Sequence, residues 1–167
     1  METRTLVLDR IVIRKKIERM AFQILEDNYG EKEIILAGIN TKGLLLARQL
    51  ASLIRKIRPV SVSVLPISVH AANPILEEVS GKIDEDLNGK VVIIVDDVAN
   101  TGRTLLYATK PFLDFLPCRL QTAVLVDRQH KTFPICPDYI GLSLSTTLQE
   151  NIAVEVEGRS VIAVYLE

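Results

Sequence analysis

The sequence predicts an α/β fold in which a central, mostly parallel β-sheet is flanked by helices. Two observations carry this prediction. Short apolar runs alternate along the chain with segments of helical periodicity, and the most apolar run, residues 91–95, leads directly into two carboxylates and a second helical segment. Strands that crossover helices bury on both faces read as continuous apolar runs of this kind. The length of 167 residues and the hydrophobic content of 48% predict a single domain over residues 1–167.

Two helices and two strands are predicted in the first part of the chain. Asp9 can cap the first helix, and residues 28–30 end it. Its apolar positions recur at helical spacing: Ile13, Ile17, Met20, Ala21, Ile24 and Leu25. A strand over residues 33–39 follows, then a tight loop at residues 41–43 and a helix over residues 44–57. Pro59 separates that helix from a strand over residues 60–67.

The second part of the chain begins with a polar, weakly patterned stretch at residues 68–89. The strand at residues 91–95 precedes a helix over residues 102–115, which Pro111 should kink or end. The remaining predicted strands cover residues 120–126, 152–156 and 160–166.

Three loops are predicted to meet at one edge of the sheet, because the carboxyl ends of parallel strands share an edge. They are residues 40–43, residues 96–104 and the segment from residue 127 onward. Open α/β sheets bind their ligands at this edge, so the ligand site is expected there.

The motif that carries the chemistry covers residues 91–104 and reads VVIIVDDVANTGRT. The start of a helix offers free backbone N–H groups that suit a phosphate, and Gly102 lets the backbone approach an anion closely. Asp96 and Asp97 would repel a phosphate, so they should face sugar hydroxyls or Mg²⁺. The alternative is a buried strand with an acidic helix cap, which explains one aspartate but not two beside TGRT.

This motif resembles the signature of the type I phosphoribosyltransferases, which bind 5-phosphoribosyl-1-pyrophosphate. The resemblance implies their fold, with a small hood subdomain, and it implies that Asp96 and Asp97 hold the ribose hydroxyls. It places the 5′-phosphate among the residues of the following turn: Ala99, Asn100, Thr101, Gly102, Arg103 and Thr104.

Further segments resemble the PyrR group, bifunctional pyrimidine-operon attenuators with uracil phosphoribosyltransferase activity. They read ILAGINTKGLLLARQLA (35–51), VLVDRQHKTFP (124–134) and PDYIG (137–141). The resemblance implies transfer to a nucleobase, with uracil giving its nucleoside monophosphate UMP and pyrophosphate. It implies Mg²⁺ held through the substrate rather than by direct protein ligands, and a homodimer or tetramer. Thr41, Lys42 and Gly43 match the pyrophosphate loop, with Lys42 catalytic alongside the two acids; taken alone, TKG also fits a helix cap with a solvated lysine.

Base recognition falls, by the same resemblance, to Tyr139 and Ile140. The ring would stack on the base and the backbone of residue 140 would read its edge, although Tyr139 also fits ordinary strand packing. Asn100 and Asp127 stand where the related 6-oxopurine enzymes carry an aspartate and a lysine. An amide has no proton to exchange near neutral pH, so both differences favour a pyrimidine over hypoxanthine or guanine.

Two departures from the PyrR group bear on turnover and on RNA. The segment at residues 65–74 lacks the expected arginine of the flexible loop, which keeps a nucleotide-binding protein without turnover as an alternative. RNA binding is disfavoured because Glu18 would repel a phosphate backbone, and Phe22 and Cys136 replace polar or basic side chains. The basic residues that remain in the late loop fit a solvated loop as well as an RNA site: Arg128, His130 and Lys131.

Composition restricts the surroundings of the protein. A formal net charge of -1 gives no bulk positive field for nucleic acid. The two cysteines, Cys118 and Cys136, form no CxxC pair and are interpreted as reduced thiols. The charged N-terminus is unlike a signal peptide, and no apolar run is long enough to span a membrane, so a cytoplasmic protein is expected.

Overall fold

The computed structural model describes residues 4–70, 72–73 and 83–167. The strands and helices follow in this order: β1 (Thr5–Leu8), α1 (Arg10–Asp27), β2 (Glu33–Ile39), α2 (Asn40–Ile57), β3 (Ser61–Ile67), β4 (Val91–Ala99), α3 (Arg103–Ala108), a 3₁₀ turn (Lys110–Phe112), β5 (Arg119–Arg128), β6 (Tyr139–Leu144), β7 (Ile152–Glu157) and β8 (Ser160–Leu166).

The central sheet contains five parallel strands in the order β3-β2-β4-β5-β6. This confirms the predicted sheet, and the five residues that open β4, from Val91 to Val95, are all fully buried. Strand β6 was not predicted, although four of its six residues are apolar. It extends the sheet by pairing with the second half of β5.

Helices cover both faces of this sheet. Side chains alternate between the faces along each strand, so Ile34 and Leu36 pack with α1 and α2 while Ile35 and Ala37 pack with α3 and the 3₁₀ turn. Fully burying one such aliphatic side chain contributes about 1.5–3 kcal/mol. In the described part of the chain, no helix has both the length and the apolar character needed to cross a membrane.

The first helix is capped as the sequence predicts. The Asp9 carboxylate accepts a hydrogen bond from the backbone N–H of Val12 at 2.8 Å. All six apolar positions predicted for the buried stripe of α1 are buried. An N-cap of this type stabilises a helix by about 1 kcal/mol.

Two predicted helix boundaries were wrong. Helix α2 begins at Asn40, so the predicted tight loop at residues 41–43 is instead the first turn of that helix. Helix α3 ends at Ala108 rather than Phe115. Pro111 lacks an N–H and disfavours helical backbone before it, and it lies in the 3₁₀ turn that replaces the predicted second half of the helix.

A second sheet is antiparallel and has the order β1-β8-β7. It corresponds to the expected hood, and strands β7 and β8 confirm the two predicted late strands. Strand β1 was missed because it has only four residues. Val154, Val161 and Val164 join the same apolar cluster as α1, α2 and one face of the central sheet.

Most of the predicted polar stretch at residues 68–89 separates β3 from β4. Its residues 71 and 74–82, which include Pro74 and Gly81, lie outside the described residues. Of the rest, Val69 and Leu87 are buried, and the acidic residues 84–86 are exposed.

Candidate active site

The direction of winding reverses between β2 and β4. The chain leaves β2 through α2 and returns in β3 on one side, whereas it leaves β4 through α3 and returns in β5 on the other. A crevice forms at such a reversal, outside the carboxyl ends of the two strands. The first turn of α2 and the segment after β4 therefore lie at the position where an α/β sheet is expected to bind its ligand.

Close packing brings these two segments together at Gly43. A Cβ atom placed on Gly43 would lie 2.6 Å from the backbone oxygen of Val95 and 3.4 Å from Oδ1 of Asp96. Only glycine fits such an approach. The close contact that glycine allows here is with the protein's own β4 backbone.

Asp96 and Asp97 lie at the end of β4 in different surroundings. Asp96 is 8% exposed and its Oδ1 accepts the backbone N–H of Asp97 at 2.9 Å, whereas Asp97 is half-buried. Burial, reinforced by the charge of Asp97, raises the pKa of the Asp96 carboxyl well above its usual range. The pair therefore places a buried carboxyl directly beside a more exposed one, and both can form hydrogen bonds with sugar hydroxyls.

The turn after β4 encloses a pocket of about 50 Å³. Asp96 and every residue from Val98 to Leu105 line it. Within the described residues, the backbone amides of Thr101, Gly102 and Thr104 have no hydrogen-bond partner. A nest of unpaired amides in a turn is suited to an anion.

Gly102 holds this turn in a conformation that a side chain would strain. Its φ is +87°, in the left-handed region, and an added Cβ would lie 2.8 Å from Cγ2 of Ile135. Helix α3 contains only six residues, so the anion site depends on the local amides more than on a helix dipole. The sequence predicted a phosphate site at the start of a helix, whereas the structure offers mainly the unpaired amides of the turn. The predicted residues still lie together around it.

The loop after β5 folds over the same turn. Thr132 and Phe133 both donate backbone N–H groups to the Thr101 carbonyl, at 3.0 and 3.2 Å. Lys131 Nζ bonds to the Asn100 carbonyl at 3.1 Å and pairs with the Asp127 carboxylate at 2.5 Å. The two loops therefore form one wall of the site.

The basic residues of this loop are engaged within the protein. Arg128 bonds to Oγ1 of Thr146 and to the Thr147 carbonyl, and His130 Nε2 lies 2.8 Å from the Thr146 carbonyl. Lys131, in its ion pair, is 18% exposed. These contacts hold Arg128 and Lys131 against the protein, while His130 stays exposed, and both interpretations weighed from the sequence, a solvated loop and an RNA site, stay open.

The structure encloses Tyr139, the first of the two residues predicted to bind the base. The Tyr139 ring is 2% exposed in the core beneath α1, and its hydroxyl bonds to Asn28 and Gln121. Burial and the nearby Asp27 raise the pKa of the Tyr139 phenol. A base cannot stack on a ring enclosed in this way, so the packing alternative describes Tyr139.

Ile140 lies two strands away from Asp96, or roughly 10 Å at the usual strand spacing. Its carbonyl accepts a hydrogen bond from Arg19 at 3.0 Å, and its side chain packs into the cluster beneath α3. A carbonyl oxygen has two lone pairs, so a contact between the Ile140 backbone and the edge of a base stays a prediction.

The remaining predicted residues are accessible. Thr41 and Lys42 are exposed, and Lys42 forms no ion pair within the described ranges. His70 accepts the backbone N–H of Asn73 at its Nδ1. Glu18 lines a cavity of about 560 Å³ on α1, and Phe22 is 51% exposed on the same helix.

Sequence reasoning missed two residues of this region. Asn40 has a φ of +52°, and its side chain bonds to both peptide groups of Val69; an asparagine directly before TKG was a usable signal, because asparagine is enriched in left-handed backbone. Lys131 was treated only as a surface cation, although Asp127 four residues earlier is the spacing of a local ion pair.

No cluster of three or more metal-ligating His, Cys, Asp or Glu residues occurs among the residues that the structure describes. The acid pair can contribute two carboxylates behind a ligand, and Mg²⁺ commonly completes its shell with waters and substrate phosphates. The donors present therefore fit a cation carried largely by its substrate.

Comparison with known proteins relates this geometry to a chemistry. The family model described as the phosphoribosyl transferase domain matches residues 7–158. The bifunctional protein PyrR of Bacillus pumilus is 38% identical, covering 99% of this chain and 99% of that protein. PyrR 1 of Lactiplantibacillus plantarum is 37% identical over 90% of this chain and 89% of its own.

Solved structures of low identity share the fold. The hypoxanthine phosphoribosyltransferase of Trypanosoma cruzi superposes with a TM-score of 0.74 at 20% identity, covering 98% of this chain and 97% of that one. A hypoxanthine-guanine phosphoribosyltransferase of Bacillus anthracis gives a TM-score of 0.72 at 24% identity, over 86% and 84% of the two chains. These similarities establish a type I phosphoribosyltransferase fold.

Proposed function

Because this chain belongs to the phosphoribosyl transferase family, we propose that it transfers the phosphoribosyl group of 5-phosphoribosyl-1-pyrophosphate to uracil, forming UMP and pyrophosphate. One observation carries the proposal. The acid pair Asp96 and Asp97 lies between a turn of unpaired amides and the first turn of α2, at the reversal point of the sheet. That order suits a ribose with a phosphate at one end and a pyrophosphate at the other.

In the proposed reaction, a ring nitrogen of the base forms a bond to ribose C1 as the bond from C1 to the pyrophosphate oxygen breaks. The proton of that nitrogen passes to solvent. Positive charge develops on the sugar and negative charge on the leaving group, so positioning and electrostatics do most of the work. Asp97 would bind the ribose hydroxyls and stabilise the sugar cation, while Lys42 would offset the charge on the departing pyrophosphate.

The 5′-phosphate would occupy the turn from Ala99 to Thr104. The amides of Thr101, Gly102 and Thr104 are available to it, and Arg103 adds a positive charge. Thr101 Oγ1 accepts the Arg103 N–H at 3.3 Å, which leaves the Thr101 hydroxyl proton free to donate.

Mg²⁺ would be held by oxygens of the pyrophosphate and ribose, with the acid pair behind them. When bound, it neutralises charge on the leaving pyrophosphate. The protein's own contribution is to orient the hydroxyls that face it.

The preference for uracil rests on the bifunctional PyrR relatives and on the residues near the base. Asn100 has no titratable proton, and Asp127 is paired with Lys131. Neither offers the acid or the free lysine that suits a 6-oxopurine. We place the protein in the cytoplasm, as a homodimer or tetramer.

Turnover by a panel of bases tests the proposal. The protein is incubated with 5-phosphoribosyl-1-pyrophosphate, Mg²⁺ and one of uracil, hypoxanthine, guanine, xanthine or orotate, and pyrophosphate release is measured. Signal with uracil alone is expected. Signal with a purine alone would overturn the uracil assignment, and binding without any turnover would favour a nucleotide-binding protein.

Attenuation by RNA binding is the second candidate, because three basic side chains of α1, Arg10, Arg14 and Lys15, line the 560 Å³ cavity. Glu18 lines it too, and Arg10 is paired with Glu157. A gel shift with a pyrimidine-operon leader RNA, repeated at raised salt, tests this candidate. Salt-sensitive binding that Arg14→Glu abolishes would support it.

A further inference from the structure

We infer that the side chain of Asn40 is a positioning residue, which fixes the first turn of α2 in the orientation that receives the pyrophosphate. This inference rests on the proposed function for its ligand. Asn40 lies directly before Thr41, Lys42 and Gly43, at the point where β2 turns into α2.

The Asn40 amide forms a two-point clamp on a residue distant in sequence. Its Nδ2 donates to the Val69 carbonyl at 3.0 Å, and its Oδ1 accepts the Val69 N–H at 3.0 Å. Val69 is 4% exposed and belongs to the apolar cluster beneath α3. The clamp therefore anchors the start of α2 to a fixed point of the core.

The backbone of Asn40 is in a conformation that most side chains avoid. Its φ is +52°, and it is the only residue other than glycine with a positive φ in the described part of the chain. Glycine would adopt this conformation without cost, so the conformation alone does not require asparagine. Strained backbone of this kind persists where the surrounding structure over-determines it, and it concentrates at functional sites.

The clamp influences ligand binding by fixing the orientation of the first turn of α2. It fixes the turn whose next residues present Lys42 and pack Gly43 against Val95. A groove of about 350 Å³ lies beside this turn. Its walls are the first turns of α2 and the end of β3, and the clamp connects these two walls. Removing the clamp should free Thr41 and Lys42 to move, while Gly43 stays packed against Val95 and the phosphate turn keeps its conformation.

Asn40→Gly is the sharpest variant, because it removes both hydrogen bonds and retains the positive φ. The matched control is Asn88→Gly, which removes a side-chain bond to the Leu116 N–H at 2.7 Å, away from the site. Titration calorimetry compares 5-phosphoribosyl-1-pyrophosphate, which needs the pyrophosphate segment, with UMP, which does not.

We expect Asn40→Gly to weaken binding of 5-phosphoribosyl-1-pyrophosphate about tenfold, equivalent to 1.4 kcal/mol. UMP affinity should stay within about twofold, and Asn88→Gly should change neither. In steady-state kinetics the KM for 5-phosphoribosyl-1-pyrophosphate should rise more than the KM for the base. Equal losses for both ligands, or no loss for either, would overturn the inference, because a purely structural role moves them together.

Hydrogen exchange of the amides at residues 44–46, which donate to the carbonyls of residues 40–42 in the first turn of α2, supplies a second measurement that needs no ligand. Faster exchange in Asn40→Gly than in Asn88→Gly is expected, and equal exchange would overturn the positioning role. If the wild-type protein binds neither ligand, the proposed function fails, and the exchange experiment still decides whether the clamp holds the turn.

Discussion

The loops after β4 and β5 lie side by side at one edge of the sheet, yet they use their polar groups in opposite ways. The turn at residues 99–104 leaves the amides of Thr101, Gly102 and Thr104 without partners in the described structure. The loop after β5 pairs its charged groups internally, with Lys131 on Asp127 and Arg128 on Thr146. A ligand or solvent can satisfy unpaired polar groups, so the first loop is suited to binding a ligand, whereas the second loop holds its own charges in place.

Replacing Asp97, the more exposed of the two acids, tests the ligand role of the region at the end of β4 and should give the largest effect. Asp97→Asn removes the charge that would face the ribose hydroxyls and the sugar cation. A charge-assisted hydrogen bond contributes about 1.5–3 kcal/mol, so binding of 5-phosphoribosyl-1-pyrophosphate should weaken by about 10- to 100-fold. Calorimetry measures this. Asp114→Asn, an exposed carboxylate on the segment after α3, is the control, and unchanged affinity in Asp97→Asn would refute the ribose role.

A pair of glycine substitutions separates backbone strain from packing between the two loops. Gly30 and Gly102 have nearly equal φ values, +89° and +87°, but only at Gly102 would an added Cβ meet a neighbour within 4 Å. Gly30→Ala should lower the free energy of unfolding by about 1–2 kcal/mol from strain alone. Gly102→Ala should cost about 1 kcal/mol more, because it presses on Ile135. Urea unfolding measures both, and equal losses would show that the loops do not press on each other at Gly102.

A double-mutant cycle on the ion pair between Asp127 and Lys131, in the loop after β5, should give a smaller effect. Lys131→Met leaves the Asp127 carboxylate, 13% exposed, without its cation, whereas Lys131→Met with Asp127→Asn removes both charges. We expect a coupling free energy of about 1 kcal/mol in thermal or urea unfolding. The cycle Arg10→Met with Glu157→Gln, an exposed ion pair, serves as the reference and should couple by less than about 0.5 kcal/mol. Equal coupling in the two cycles would contradict a supporting role for the loop.

Replacing the buried acid, Asp96, should change how thermal stability depends on pH. Burial raises the pKa of Asp96 in the folded protein. The contribution of Asp96 to the free energy of unfolding is therefore fully present below about pH 3.9, the pKa in the unfolded chain, and is lost as pH rises through the folded pKa. Asp96→Asn should flatten this decline, so its Tm relative to wild type should improve as pH increases. Thermal melts without ligand across this range measure the effect, and parallel curves would show that folding leaves the pKa of Asp96 unchanged.

The acid pair and the phosphate turn could be located from sequence because both are local features. Five apolar residues running into two aspartates and TGRT determine where β4 ends and which turn follows. Asp9 could be identified as a cap for the same reason. In these cases the contacts that decide the structure lie within a few residues of one another.

The misplaced features depend on contacts between distant residues. Nothing near Tyr139 in the sequence indicates that Asn28 and Gln121 would enclose its hydroxyl. Helical periodicity predicted that the helix after the phosphate turn continues past Pro111. The chain instead forms a 3₁₀ turn there, and Phe112 packs in the cluster beneath α3. The clamp between Asn40 and Val69 joins residues that only the parallel alignment of β2 and β3 brings together.

The antiparallel sheet has a consequence for how the chain folds during synthesis. Strand β1 pairs with β8, in a register that joins Thr5 to Leu166, so β1 leaves the ribosome well before its partner does. The five parallel strands are complete once Leu144 has emerged, and they can fold while β1 is still unpaired. A temporarily exposed strand edge is open to pairing with a neighbouring nascent chain. Deleting β8 should therefore leave the ligand edge assembled but make the protein prone to aggregate through β1.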